Sequence, residues 1–412
     1  MDTRLERIKK DIETLGQFNS TPGEGLTRFS LTEEDKQARA YIKGEMKKIG
    51  LQVYEDEACT IIGRLEGSIK DGPIIMLGSH YDSVKNGGNF DGNAGVVAAL
   101  ETARVIKEKN IKLKYPVEFI AMIEEEGGRF GSGLFGSRAM AGTITREQLD
   151  IYKDMEGIST ADAMKEFGFD PDKIGHAKRD SNDIRAFLEL HIEQGPILEH
   201  ENKDIGIVNH IVGIKQLDIV IKGRPDHAGT TPMTMRIDAL DSATKVISKI
   251  SDKAKEVGEG SVATVGTLNI LPGAANIVPG EVKFTVDIRS KNSKCIDEIT
   301  EFIHEELKKV KEQKSVEYTV FESLNADPVK LNTDIIRYFN NNCEKLGLSK
   351  IDMLSGAGHD AMIMAGITDV GLLFVPSKDG RSHCPEEWTD YYELQKGIEV
   401  MYNTVLSLGE VE

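Results

Sequence analysis

The stretch that decides the fold is Pro73-Ile-Ile-Met-Leu-Gly-Ser-His-Tyr-Asp82, followed by Asn89-Phe-Asp-Gly-Asn-Ala-Gly95. Its apolar run has the length of a buried strand and ends in small and polar residues. The segment after Gly95 carries apolar residues at helical spacing, namely Val96, Ala99, Leu100, Ala103 and Ile106. A strand, a glycine-rich loop with His and Asp, and a core-facing helix together predict a βα unit of an α/β fold.

Three further apolar runs alternate with helical patterns, at residues 117–123, 186–192 and 370–375. Continuous apolar runs are typical of parallel strands that are buried on both faces. We therefore expect an α/β domain with a mainly parallel sheet and helices on both faces. The first 60 residues or so are predicted to be helical, with a capping box at Ser30 and Glu33 and a helix end at Gly50.

The region from 212 to 322 has a different pattern. Strands are predicted over Gln216–Ile221, Val262–Ile270, Glu281–Ile288 and Val316–Phe321, and helices over 237–256 and 293–313. The resulting order, β-α-β-β-α-β, is that of a ferredoxin-like α+β domain. We predict a catalytic domain formed by residues 1–211 and 323–412, interrupted by an inserted domain at 212–322.

Composition excludes several classes of protein. The chain has 412 residues with 51 Lys+Arg and 68 Asp+Glu, a net charge of −17 that opposes binding to nucleic acid or to anionic membranes. No apolar run reaches the roughly 20 residues that span a bilayer, and the charged N-terminal residues are unlike a signal peptide. Four cysteines without a CxxC pair favour a reducing compartment. We expect a cytoplasmic protein without nucleic-acid or membrane partners.

Each predicted parallel strand carries metal-ligand residue types at or after its carboxyl end, where open α/β sheets place their sites. They are His80, Asp82 and Asp91 after the first strand, Glu124, Glu125 and Glu126 after the second, His191 in the third and His383 after the fourth. Singly, these are explained equally well by a surface loop, a solvated turn or a core histidine. Together they predict two ions bridged by a carboxylate, a hydrolytic centre, with Asp82 orienting His80.

Motifs along almost the whole chain resemble the amidase branch of the M20 metallopeptidases, which includes N-carbamoyl-L-amino acid hydrolases, allantoate amidohydrolases and β-ureidopropionases. The matching motifs are His80-Tyr-Asp82, Asn89-Phe-Asp91-Gly, Glu125-Glu126-Gly-Gly-Arg-Phe130, His191-Ile-Glu-Gln194-Gly-Pro, His227-Ala-Gly-Thr-Thr-Pro-Met, Gly273-Ala-Ala-Asn276, Asp287-Ile-Arg289, Gly356-Ala-Gly-His359-Asp360-Ala and Ser382-His383-Cys-Pro-Glu386. The resemblance implies a dinuclear metal hydrolase whose inserted domain acts as a lid and joins two subunits into a homodimer.

The resemblance also implies a role for each matching residue. Asp91 bridges two divalent ions, with His80 and His191 on one ion and Glu126 and His383 on the other, and Glu125 is the general base. The spacing alone does not distinguish the three consecutive glutamates. Four more residues match positions that contact the substrate or its reacting carbonyl, namely His227, Gln194, Asn276 and Arg289. For His227 the ordinary alternative is a loop histidine, and for Arg289 it is a surface arginine. His359 is expected near the metals. The ions are zinc, manganese, cobalt or nickel, since His and carboxylate ligands suit all four.

The expected reaction is hydrolysis of an N-carbamoyl-L-amino acid to the L-amino acid, carbon dioxide and ammonia. Allantoate amidohydrolase is the alternative, but Gln216 stands where the allantoate enzymes are expected to carry a second arginine. An aminoacylase or dipeptidase is a more distant possibility. A non-catalytic protein that binds a ureido compound would have no need of Glu125 beside the metals. A thiolate role for Cys384 is rejected, because no position of the family requires one.

Overall fold

The chain divides into two units in the structure, a computed structural model that describes residues 1–412. The main unit comprises Met1–Asn209, Leu331–Met353 and Gly358–Glu412, and the insert unit comprises His210–Lys330 with Leu354–Ala357. No helix combines the length and the apolar character needed to cross a membrane.

The main unit is built on one large mixed sheet. Its strands are β1 (Gln52–Glu55), β2 (Ile61–Leu65), β3 (Ile74–His80), β4 (Val117–Met122), β5 (Ile184–Ile192), β6 (Ile205–Ile211), β12 (Lys350–Ser355) and β13 (Val370–Val375). The strand order is β1-β2-β4-β3-β5-β13-β6, with β12 also paired to β6. The pairs β3–β4, β3–β5 and β5–β13 are parallel. Every residue of β3, β4 and β13 is buried, which confirms the prediction of a mainly parallel sheet from continuous apolar runs.

The helices of the main unit include the one predicted after Gly95. They are α1 (Leu5–Leu15), α2 (Glu33–Ile49), α3 (Asn93–Glu108), α4 (Phe135–Met140), α5 (Arg146–Ile151), α6 (Thr160–Glu166), α7 (Ile197–His200), α10 (Thr333–Leu346), α11 (Asp360–Met364) and α12 (Tyr391–Gly409). Short 3-10 turns lie at Pro171–Ala177, Ser181–Asp183 and Lys378–Gly380. The apolar residues predicted for the core face of α3 are all buried.

Two details near the N-terminus correct the sequence prediction. The N-cap of α2 is Thr32, whose hydroxyl accepts a hydrogen bond from the Asp35 N–H, and not Ser30. Leu31 adopts a positive φ of 58°, which turns the chain after Ser30 and shifts the helix start. Strand β1 also begins at Gln52, two residues after Gly50, so the first 60 residues are not entirely helical.

The insert unit has its own sheet and core. Its elements are β7 (Gly213–Lys222), α8 (Ala239–Val257), β8 (Val262–Leu271), β9 (Glu281–Ser290), α9 (Ser293–Lys314) and β10 (Glu317–Ala326), with a 3-10 turn at Met233–Met235 and the short β11 (Val329–Lys330). The antiparallel sheet has the order β10-β7-β9-β8. Alternate residues of β7 and β9 are buried beneath α8 and α9. This is the ferredoxin-like order that the sequence predicts.

Candidate metal centre

The carboxyl ends of the central parallel strands lie side by side. In the register of the sheet, His80 is opposite Met122 and His191 is opposite Phe374. The three consecutive glutamates begin two residues after β4, and His383 lies in the loop after β13. Strand pairing therefore brings together residues that are up to 303 positions apart in the chain, His80 and His383.

Asp91 lies at the centre of the cluster, with its two oxygens facing different partners. Oδ1 is 3.0 Å from His191 Nε2 and 3.5 Å from His80 Nε2. Oδ2 is 3.2 Å from His383 Nε2, which is itself 3.3 Å from Glu126 Oε1. A carboxylate with one oxygen toward each of two ligand groups has the arrangement needed to bridge two ions.

The ligand atoms form three overlapping groups, in each of which they lie within 4.8 Å of one another. The groups are His80, Asp91 and His191; Asp91, Glu126 and His383; and His80, Glu125 and Glu126. Imidazole nitrogens and carboxylate oxygens are the donors that first-row divalent ions accept. Glu126 Oε1 is buried and accepts no hydrogen bond, which is unfavourable without a cation. The residues therefore fit a divalent metal centre.

Burial and crowding perturb the acids and bases of the cluster. Burial opposes ionisation of Asp91, but the imidazoles of His191, His383 and His80 outweigh it and hold its pKa well below the usual range. Burial raises the pKa of Glu125 well above the usual range; the charge of His80 opposes this shift, and the carboxylate of Glu126 adds to it. Uncompensated buried carboxylates of this kind are typical of functional sites.

The structure separates the three consecutive glutamates. Glu124 has a φ of 52°, and its carboxylate accepts hydrogen bonds from the N–H groups of Arg129 and Phe130. Its side chain therefore closes the loop. Glu125 Oε2 lies 3.9 Å from His80 Nε2, and Glu126 faces His383. Only Glu125 and Glu126 belong to the groups of candidate ligands.

Asp82 lies beside His80, as predicted, and its backbone oxygen is nearer to the ring than its carboxylate. His80 Nδ1 lies 3.1 Å from the backbone carbonyl oxygen of Asp82, and 3.5 Å from its carboxylate. The Asp82 carboxylate instead accepts hydrogen bonds from the N–H groups of Glu125 and Glu126, at 3.1 and 3.2 Å. The backbone of Asp82 orients the histidine, and its side chain holds the glutamate loop.

Gln194 and His359 lie in the same cluster. Gln194 Nε2 is 2.8 Å from Asp91 Oδ2 and 3.2 Å from Ser382 Oγ. The His359 ring is buried and packs edge-on against the His191 ring, with centroids 4.5 Å apart. Burial, with a smaller effect from the charge of His191, lowers the pKa of His359 well below the usual range, so this ring is neutral.

The other four predicted substrate residues lie in the insert unit, in two places. His227 forms a bridge with Ile277, and the Ala228 N–H donates to the Asn276 carbonyl oxygen at 2.9 Å, so the exposed His227 and Asn276 are close. Gln216 and Arg289 meet at Asp287. Gln216 Nε2 donates to Asp287 at 2.9 Å, and Arg289 Nε donates to the same carboxylate at 2.7 Å.

One residue at the centre was missed by sequence reasoning. Glu387 is buried and accepts hydrogen bonds from the N–H groups of Phe90 and Asp91. In the sequence, Glu387 is the second of two glutamates that follow a proline, and such a segment is typical of a solvated turn. Its distance from Asp91 in the sequence hid the contact.

Comparison with known proteins identifies the family. The family model described as peptidase family M20/M25/M40 matches residues 76–407. An N-carbamoyl-L-amino-acid amidohydrolase of Paenarthrobacter aurescens is 46% identical over 98% of both chains. An allantoate amidohydrolase of Bacillus subtilis is 33% identical over 97% of this chain and 96% of its own. The crystal structure of a hydantoinase/carbamoylase family amidase from Burkholderia multivorans has a TM-score of 0.91 at 30% identity, covering 99% of this chain and 98% of its own. The chain therefore belongs to peptidase family M20/M25/M40, and its similarity to the amidases of that family confirms the resemblance seen in its motifs.

Proposed function

We propose that this protein is a metal-dependent amidohydrolase that cleaves the ureido C–N bond of N-carbamoyl-L-amino acids, releasing the L-amino acid, carbon dioxide and ammonia. The observation that carries the proposal is the placement of the two Asp91 oxygens on separate histidine-containing groups beside Glu125. The 46% identity to an N-carbamoyl-L-amino-acid amidohydrolase supports the choice of substrate.

We propose that two divalent ions are held in each subunit. His80, His191 and Asp91 would hold one ion, and Asp91, Glu126 and His383 the other. The donor set suits zinc, manganese, cobalt or nickel. When bound, such ions lower the pKa of water and polarise a carbonyl oxygen.

Glu125 is the proposed general base. Its carboxylate lies among the candidate ligands but accepts no hydrogen bond that would hold it in a structural role, unlike Glu124. It takes a proton from the water that attacks the ureido carbonyl carbon, and it gives that proton to the departing nitrogen. Gln194, whose side-chain amide donates to Asp91 Oδ2, would contact the ureido group.

The insert unit is proposed to supply the remaining groups. His227 would donate a hydrogen bond to the carbonyl oxygen as negative charge develops on it. Asn276 and Arg289 would hold the substrate carboxylate, a task for which a guanidinium is suited. His359 would support the metal centre by packing against the ring of His191.

Allantoate is the alternative substrate. The 33% identity to an allantoate amidohydrolase supports allantoate as a second candidate substrate. Against it, Gln216 occupies the position expected to carry a second arginine, and its amide is bonded to Asp287. A single guanidinium at this place favours a substrate with one carboxylate and no second polar arm to hold.

The test is ammonia release from metal-loaded protein incubated with N-carbamoyl-L-amino acids and with allantoate. We expect turnover of the carbamoyl amino acids, and turnover of allantoate alone would overturn the assignment. Glu125→Gln should keep the metal and lose about 100-fold or more of kcat. Glu124→Gln is the matched control, since its amide oxygen can still accept the loop hydrogen bonds, and it should retain most activity. Full activity of Glu125→Gln would refute the mechanism.

We also propose that two copies associate through the insert unit. Strands β8 and β10 form the two edges of its sheet and expose large apolar side chains, Val262, Leu268, Leu271, Phe321 and Leu324. Unpaired edge strands with apolar residues are suited to pairing with a second copy. Light scattering should give a dimer that Phe321→Glu weakens. An active wild-type monomer would contradict this.

The four unpaired cysteines fit the proposed cytoplasmic location.

A further inference from the structure

Two loops that carry candidate ligands meet at the carboxylate of Glu387, which is 4% exposed. Its Oε1 accepts hydrogen bonds from the backbone N–H groups of Phe90, at 2.9 Å, and Asp91, at 3.0 Å. Its Oε2 lies 2.8 Å from the hydroxyl of Ser382, the residue before His383. One carboxylate therefore fixes the loop of Asp91 to the loop of His383.

The Ser382 hydroxyl has two carboxylates within reach but only one proton to donate. Its oxygen lies 2.8 Å from Glu387 Oε2 and 3.1 Å from Asp91 Oδ2. The shorter contact directs the proton to Glu387, and Gln194 Nε2 donates to the same hydroxyl oxygen at 3.2 Å. Glu387 thereby keeps the Ser382 proton away from Asp91 Oδ2, the oxygen that faces His383.

The close approach of the two loops depends on Gly88. A Cβ at this position would lie 2.2 Å from the carboxyl carbon and from Oε1 of Glu387, far inside contact distance. Only glycine lets the Glu387 side chain reach the N–H groups of Phe90 and Asp91. The observed position of the Glu387 carboxylate therefore requires a glycine at residue 88.

We propose that Glu387 is a positioning residue for Asp91, and that it sets the affinity of the ion shared by Asp91, Glu126 and His383. This inference rests on the proposed metal centre. Glu387 acts in two ways: it holds the backbone of Asp91 in place, and it orients Ser382 so that a lone pair of Asp91 Oδ2 stays available to a cation. Glu387 belongs to none of the groups of candidate ligands.

The variant Glu387→Gln separates these effects from loss of packing. Its amide oxygen can still accept from Phe90 and Asp91, which leaves the NH2 group facing Ser382. Ser382 must then turn its proton to Asp91 Oδ2, and a negative charge near the cation is lost. Loss of a hydrogen-bonding partner of a metal ligand costs roughly 10- to 100-fold in metal affinity. We expect this loss of metal affinity at only one of the two proposed ion sites.

The chain offers a matched control in Glu399. This buried glutamate also accepts from two backbone N–H groups, those of Asp2 and Thr3, and from one hydroxyl, that of Thr3. It lies on α12 and belongs to none of the ligand groups. Glu399→Gln therefore makes the same chemical change at a structural site, and its metal affinities should equal those of the wild type.

The experiment is a Zn²⁺ titration of chelator-treated wild type, Glu387→Gln and Glu399→Gln in competition with a chromogenic chelator, with urea unfolding of each protein. The inference is supported if Glu387→Gln alone weakens one site 10- to 100-fold and excess Zn²⁺ restores its turnover. Equal affinities in the two variants would overturn the inference and leave the proposed function intact. A wild type that binds no Zn²⁺ would overturn both.

A second variant keeps the test open if Glu387→Gln does not fold. Gly88→Ala leaves every hydrogen-bonding group in the chain but forces the Glu387 side chain away from the Asp91 loop. We expect the same single weakened site. Wild-type Zn²⁺ affinities in folded Gly88→Ala would refute the role of Glu387.

Discussion

The N–H donors of Arg289 allow a sharp test of the proposal that this residue holds the substrate carboxylate. A guanidinium has five N–H groups. In Arg289, Nε and Nη2 donate to Asp287 at 2.7 and 3.2 Å, and Nη1 donates to the carbonyl oxygen of Gly356 at 2.6 Å. Three donors are thus used inside the insert unit, and one N–H on each of Nη1 and Nη2 remains. Donors on two neighbouring nitrogens can bind both oxygens of a carboxylate.

Arg289→Lys keeps the positive charge and removes this pair of donors. The ammonium has three N–H donors, and bonds to Asp287 and to the Gly356 carbonyl oxygen use two of them, so a single hydrogen bond is left for a substrate. Losing one hydrogen bond to a charged group costs about 1.5–3 kcal/mol, or roughly 10- to 150-fold in KM. Because this contact is equal in the ground state and the transition state, kcat should change little.

The assay compares KM for an N-carbamoyl-L-amino acid with KM for its neutral carboxamide, in wild type and Arg289→Lys. The loss should be large for the carboxylate and small for the carboxamide. Arg337→Lys is the control, since Arg337 is an exposed arginine paired with Asp334 on α10. An equal rise of KM for both substrates, or a fall in kcat alone, would refute the reasoning.

Three further predictions concern stability and reactivity. Burial raises the pKa of Asp56 to about 6 from 3.8, so its contribution to stability is present below pH 4 and is lost as pH rises through 6. In metal-free protein the unfolding free energy of Asp56→Asn relative to wild type should rise by about 2 kcal/mol between pH 4 and 7, and a difference that does not change with pH would refute the raised pKa of Asp56. A thiol reagent should modify Cys384 quickly in the native protein and the three buried cysteines only after unfolding; a fast thiol remaining in Cys384→Ser would contradict this. Gly78→Ala places a Cβ 2.0 Å from the Ile120 carbonyl oxygen and should cost at least about 2 kcal/mol in urea unfolding, whereas Gly44→Ala, in open space on α2, should be neutral or stabilising; equal effects would refute the packing argument.

The fold and the principal ligand types were predictable because they follow from short-range patterns. The runs before His80 and Glu124 are almost entirely apolar, with Glu118 as the one charged residue, and such strands are buried and parallel. Parallel strands end at one edge, so a polar residue at each end predicts a cluster before any contact is known. The order of strand and helix patterns over 212–322 predicts the insert unit in the same way.

The finer roles were not predictable because they depend on backbone geometry and on contacts distant in sequence. A positive φ turns Glu124 away from the cluster. The sequence of three consecutive glutamates does not indicate which of them adopts this backbone conformation. The Asp82 side chain bonds to the glutamate loop 43 residues away. Glu387 meets Asp91 across 296 residues, and nothing in the local sequence of either residue indicates the other.

The distribution of the ligands along the chain has a consequence for biosynthesis. His80, Asp91 and His191 all precede the insert unit, whereas His383 follows it. A ribosome therefore completes the first group of ligands before the insert unit exists, and the second group only near the end of translation. A nascent chain exposed to metal at that stage has one set of donors and no β13 beside β5. In the proposed two-ion centre, the order of translation thus allows one ion to be acquired well before the other.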